Sequence, residues 1–87
     1  MHIWIDPHTL ERAAERGATQ EEIEDVIRTG IPVPARGNRL ARAKIMEFRR
    51  VWRGVYYEQK KIEVIYVVEQ EVAITVTVYV YYGRWDI

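Results

Sequence analysis

The sequence predicts an α+β domain: two N-terminal helices packed on one face of a mainly antiparallel sheet of three to five strands. Three observations carry this. Two stretches before residue 30 bear helix-start and helix-stop signals. Two prolines, Pro32 and Pro34, then forbid further helix. From Ala41 onward the chain is rich in β-branched and aromatic residues that alternate with polar ones. With 87 residues and 48% hydrophobic composition there is material for one core. A single domain over 1–87 follows.

The elements take their bounds from local chemistry. Ile3 to Ile5 forms a short first strand. Asp6-Pro7 is an N-cap followed by proline at the first helical position, where its missing N–H costs nothing. The first helix runs from Pro7 to Arg16, with Gly17 as its C′ residue. Leu10, Ala13 and Ala14 are its expected core contacts. Thr19-Gln20-Glu21-Glu22 is a capping box opening a second helix. Ile23, Val26 and Ile27 give that helix its buried stripe, and Gly30 ends it. The prolines make an extended connector, and Arg36-Gly37-Asn38-Arg39 a basic loop. Strands follow at Ala41 to Phe48, Val55 to Tyr57, Lys61 to Val68 and Glu71 to Tyr82. Glu69-Gln70 is the expected turn before the last one. In that strand Val72, Ile74, Val76, Val78 and Val80 form one face, and Ala73, Thr75, Thr77, Tyr79 and Tyr81 the other.

Composition excludes several functions. There is no cysteine, hence no disulfide, thiolate metal site or cysteine nucleophile. The start lacks the basic region and long apolar run of a signal peptide. No stretch is long and apolar enough for a membrane helix, so the expectation is a cytoplasmic protein with no membrane partner. His2, Asp6 and His8 are a poor metal set, since Asp6 is needed as a helix cap. No phosphate loop or serine-nucleophile motif occurs, and no cofactor is implied.

The formal net charge of +0 conceals a pattern. Residues 1–35 carry three basic and seven acidic side chains (−4), residues 36–53 seven and one (+6), and residues 54–87 three and five (−2). The excess positive charge therefore sits in one segment. Arg36, Arg39, Arg42, Lys44, Arg49, Arg50 and Arg53 make it up, with Phe48 and Trp52 among them. Cations interleaved with aromatics suit single-stranded RNA, whose phosphates meet charge while its bases stack on rings. The same segment also reads as a dock for an acidic protein, or as a solvated edge that opposes sheet aggregation.

On the first helix, His8, Arg12 and Arg16 recur at four-residue spacing and drift by only about 40° per step. An imidazole beside two guanidiniums supplies an acid or base and a phosphate clamp, the parts of metal-free RNA cleavage. The same face also reads as solvated, with Glu11 and Glu15 pairing to Arg12 and Arg16. Tyr56, Tyr57, Tyr66, Tyr79, Tyr81, Tyr82 and Trp85 crowd the C-terminal half. They fit ordinary sheet packing, a stacking platform or a proton-transferring hydroxyl.

The run His8-Thr9-Leu10-Glu11-Arg12-Ala13-Ala14-Glu15-Arg16-Gly17 resembles the H-A-x-x-R-x-x-x-R-G hallmark of the prokaryotic domain-of-unknown-function family 4258. Val76-Thr77-Val78-Tyr79 matches its closing I-T-V-Y strand. Trp52-Arg53-Gly54-Val55-Tyr56-Tyr57-Glu58-Gln59-Lys60 is similar to the W-x-G-x-x-Y-E-x-K of one subgroup. Thr9 departs from the usual alanine. The resemblance implies a RelE/barnase-like fold and, by analogy, a metal-independent ribonuclease of toxin type with a cognate antitoxin. On that expectation His8 is the acid or base, and Arg12 and Arg16 hold the phosphate. Lys44 and Lys60 stabilise charge, and Tyr79 orients the 2′-hydroxyl or stacks on a base. Arg36, Arg39, Arg42, Arg49, Arg50 and Arg53 bind the rest of the strand. The alternative is a non-catalytic RNA- or protein-binding module, monomeric or homodimeric.

Overall fold

A computed structural model describes residues 1–85. It is an α+β structure in which two helices cover one face of an open five-stranded sheet. The elements in chain order are β1 (His2–Trp4), α1 (Pro7–Arg16), α2 (Gln20–Thr29), β2 (Ile31–Val33), β3 (Leu40–Trp52), β4 (Val55–Glu69) and β5 (Val72–Gly83). The sheet order is β1-β5-β4-β3-β2. Only β1 runs parallel to its neighbour. Among the described residues no helix is long and apolar enough to cross a membrane.

The helix signals act as read. The Asp6 side chain accepts from the His8 N–H, and Gly17 closes α1 in the left-handed conformation (φ 90°). The Thr19–Glu22 capping box is complete in both directions. Ile23, Val26 and Ile27 are fully buried against β3 and β4. Each such side chain contributes about 1.5–3 kcal/mol of burial.

The buried line of α1 differs from expectation. Thr9 and Ala13 are its buried residues, whereas Leu10 and Ala14 face solvent. Two tethers to β5 set this rotation: the Asp6 N–H donates to Thr75 Oγ1 (3.0 Å), and Arg16 Nη1 donates to the Val78 carbonyl (2.6 Å). Residues 9, 13 and 16 then line the underside, and Leu10 turns away.

The strands also differ in extent. The proline connector contains β2, an edge strand in which Pro32 lies opposite Arg42; an edge tolerates the missing donor. The two strands expected over residues 55–68 are one continuous β4, because the polar run between them finds partners. Gln59 meets Glu47 and the Trp85 N–H, and Lys60 meets Gly17 and Glu22. The β4–β5 loop is Gln70-Glu71 rather than Glu69-Gln70, with φ of 50° and 65°. Arg53-Gly54 closes β3–β4 with φ of 50° and 86°. Two-residue hairpin loops favour such positive-φ pairs.

The single apolar face expected for β5 is split by a bulge. Ile65 pairs with Thr77 but Tyr66 with Thr75, so Val76 is the extra residue. Ala73 and Thr75 face the helices before it, and Val78, Val80 and Tyr82 after it. Val72 and Ile74 are displaced to the open face.

Candidate nucleic-acid interface

The six residues of the expected catalytic set are placed as follows. His8 is exposed in the first turn of α1, and Arg12 pairs loosely with Glu15 (3.8 Å) in solvent. Arg16 drifts far enough round the helix to reach the free edge of β5. There its guanidinium also lies 5.5 Å from the Tyr79 ring centroid, so the fold brings Arg16 and Tyr79 together. Lys44 bonds Asp25 (2.6 Å) and Thr29 (2.9 Å) on α2. Lys60 is 4% exposed and donates to the Gly17 carbonyl (2.7 Å) and Glu22 (3.0 Å). Lys60 thus caps the C-terminal end of α1 while His8 sits at the other end, about 13 Å away at 1.5 Å per residue. Lys44 lies on α2's strand, β3, whereas α1 packs on β5. The six do not converge on one cleft.

The basic segment is likewise not one patch. Arg36 and Arg39 lie in the exposed β2–β3 loop. Arg49, Arg50 and Arg53 lie at the far end of β3, about 40 Å on at 3.3 Å per residue, close to the 41 Å long axis of the molecule. Between them Arg42 donates to the Gly30 carbonyl (3.1 Å) and Lys44 to α2. These two serve the helix layer.

At the distal tip the cations meet rings. A register shift between Glu47 and Arg50, with Arg49 at φ 49°, twists the end of the hairpin. Phe48, Trp52 and Tyr57 then converge on Tyr82, at centroid distances of 5.2, 5.2 and 5.4 Å. Trp52 and Tyr82 stack within 17° of parallel. The Tyr82 hydroxyl donates to the Arg16 carbonyl (2.7 Å). Burial, and secondarily Glu22, pushes this phenol above its ordinary range, so it stays a donor. Gly17 lies beneath Trp52 and Tyr82, where a Cβ would collide with the Tyr82 hydroxyl. Over this platform Arg50 stands 4.7 Å from the Phe48 ring and Arg53 5.2 Å from Trp52. Arg53 also donates to the Glu15 carbonyl (2.7 Å). Arg49 is shared with Glu47 (3.1 Å) and Glu58 (4.0 Å). Among the described residues no carboxylate pairs with Arg50 or Arg53.

Sequence reasoning picked out Phe48, Trp52 and the arginines but not Tyr57 and Tyr82 as their companions. The partnership depends on the β3 irregularity and on Tyr82 falling opposite Lys60.

A second aromatic pair lies on the open face. Tyr79 and Tyr81 are half-exposed with centroids 6.5 Å apart, and Lys61 Nζ is 5.9 Å from the Tyr81 ring. Burial, then Glu63 and Tyr79, raises the Tyr81 phenol. Two shallow depressions, of about 630 and 450 Å³, lie beside Trp4 and beside Ile31. His8, Arg12, Arg16, Lys60 and Tyr79 line neither.

These features define a small two-helix α+β domain with a cationic, aromatic hairpin end. The chain belongs to the family described as Domain of unknown function (DUF4258), whose model matches residues 5–80. Searches of curated proteins and of solved structures returned no match.

Proposed function

We propose that the protein binds single-stranded RNA at the distal end of the β3–β4 hairpin, as a non-catalytic module. The observation that carries this is Arg50 over Phe48 and Arg53 over Trp52, neither with a carboxylate partner among the described residues. Bases stack on the outer faces of the guanidiniums that lie over Phe48 and Trp52, and the guanidinium edges meet phosphates. Tyr82 and Lys60 hold the platform from below. The competing reading is the ribonuclease, with His8, Arg12, Arg16, Lys44, Lys60 and Tyr79 as its machinery and an antitoxin as its partner. Arg16 beside Tyr79 is the part of that set which speaks for it.

The test is anisotropy of a labelled single-stranded RNA titrated from 50 to 200 mM salt in EDTA, with the RNA then run on a gel. Intact RNA is expected, with affinity falling steeply as salt rises. Arg50→Ala with Arg53→Ala weakens binding about tenfold or more and lowers the salt slope by roughly one per arginine. Absent or salt-independent binding overturns the proposal. RNA cleavage lost in His8→Ala and Arg12→Ala installs the ribonuclease reading instead.

A further inference from the structure

The helices cover one face of the sheet, and the opposite face is left with large apolar side chains in solvent. Trp4, Ile31, Ile45, Tyr79 and Tyr81 are between 40% and 72% exposed. A contiguous patch of this kind marks an interaction surface. Its charges say what covers it. From Lys61 to Val67 on β4, the central strand of five, only Lys61 and Glu63 among the described open-face residues are charged. They have opposite sign, stand two residues apart and occupy the middle of the face.

We infer that this face packs against the same face of a second copy of the chain. A two-fold axis lying between the sheets and perpendicular to β4 sets Lys61 over the second copy's Glu63, and the reverse. An axis along the strand would oppose like charges, so the pattern selects the first. The positions level with this pair agree. Ile45 and Tyr81 are level with Lys61, and Ala43 and Tyr79 with Glu63. The same rotation places Ile45 over Ala43, large on small, and Tyr81 over Tyr79. Stacked sheets sit about 10 Å apart, which such side chains fill. The rotation is centred level with Ile62, so the overlap is the patch around Lys61 and Glu63 rather than the whole face, and Trp4, level with Val67 through Ile74, lies outside it. That is a small interface, at the weak end of the range for specific association. The helix-side platform at the hairpin tip stays free in both copies.

Sedimentation equilibrium from about 5 to 200 μM tests this, with circular dichroism to verify folding. Wild type is expected to shift from monomer to dimer across that range. Lys61→Glu alone, or Glu63→Lys alone, sets like charges together twice by symmetry and weakens the dimer about tenfold or more. The two combined exchange the signs and restore it. A monomer throughout, a dimer indifferent to the single changes, or a folded double variant as weak as the singles overturns the inference. The assay involves no RNA, so its outcome is separate from that of the binding proposal.

Discussion

Lys60 and Arg50 approach the same ring, that of Phe48, at 5.6 and 4.7 Å. One belongs to the helix-covered part of the sheet and the other to the hairpin tip. Lys60 is buried, and its ammonium is used by the Gly17 carbonyl and the Glu22 carboxylate. It closes the last turn of α1, where the helix dipole favours a cation, and fixes the start of α2. Arg50 has solvent on one side and an aromatic face on the other. In this chain a cation's neighbours, rather than its place in a charge-rich stretch, decide whether it holds the fold together or is available to a ligand. Arg42 and Lys44 fall with Lys60; Arg53, bonded to the Glu15 carbonyl, and Arg49, shared with Glu47 and Glu58, are exposed and stand between the two.

The sharpest way to break this contrast is Lys60→Met. It leaves the Gly17 carbonyl without its side-chain donor and takes one of two donors from the Glu22 carboxylate, which keeps the Thr19 N–H and is partly open to solvent, a loss of about 2–3 kcal/mol. Urea unfolding should show a lower midpoint with an unchanged slope. A loss under about 1 kcal/mol would mean that Lys60 is not structural and would return it to the functional set. At the tip the opposite holds. Arg50→Ala should leave the unfolding free energy within about 0.5 kcal/mol, as for ordinary surface changes, while RNA binding suffers.

Much of the helix-covered part was legible in advance because its signals are local. Asp6-Pro7, Gly17 and the Thr19–Glu22 box each act within one turn, and they place both helices correctly. The stripe of α2 follows from spacing alone. What escaped depends on contacts far along the chain. The rotation of α1 is set by Thr75 and Val78, more than sixty residues away. The Val76 bulge breaks an alternation that period-two counting takes as continuous. Gln59 and Lys60 look like a strand break until their partners in other elements are known. The candidate site divides the same way. Phe48, Trp52 and the tip arginines are neighbours in sequence and could be grouped. Tyr57 and Tyr82 join them through sheet pairing, and Lys44 is removed by Asp25.

Thr9 sharpens the picture of the covered part. It is fully buried, and among the described residues its hydroxyl is the buried side-chain polar atom without a hydrogen-bond partner. It stands where the family hallmark has alanine. An unpaired buried hydroxyl costs roughly 1–3 kcal/mol, and replacing it by an apolar group of the same shape recovers part of that. Thr9→Val should therefore raise stability by about 1 kcal/mol, read from the same urea transition. A drop would show that the hydroxyl has a partner and that this layer, like Lys60, leaves nothing unsatisfied.

The smallest effect belongs to the exposed pair that takes Lys44 away from the basic segment. The hydrogen bond from Lys44, then that from Thr29, holds the Asp25 carboxyl below its ordinary value of 3.8. A carboxyl whose pKa is lower when folded contributes stability above its unfolded value, and the contribution is lost as pH falls through the lower folded value. Thermal midpoints of wild type and Asp25→Asn should therefore differ at neutral pH and converge as the solution is acidified below the lowered folded value. The pair is open to solvent, so added salt should shrink the difference at neutral pH as well. A difference that persists at low pH would mean that the Thr29 contact, not the charge on Lys44, is what Asp25 supplies. Lys44 would then be a weakly held cation, closer in kind to Arg50 than to Lys60, and the boundary between structural and available charge along β3 would fall between Arg42 and Lys44.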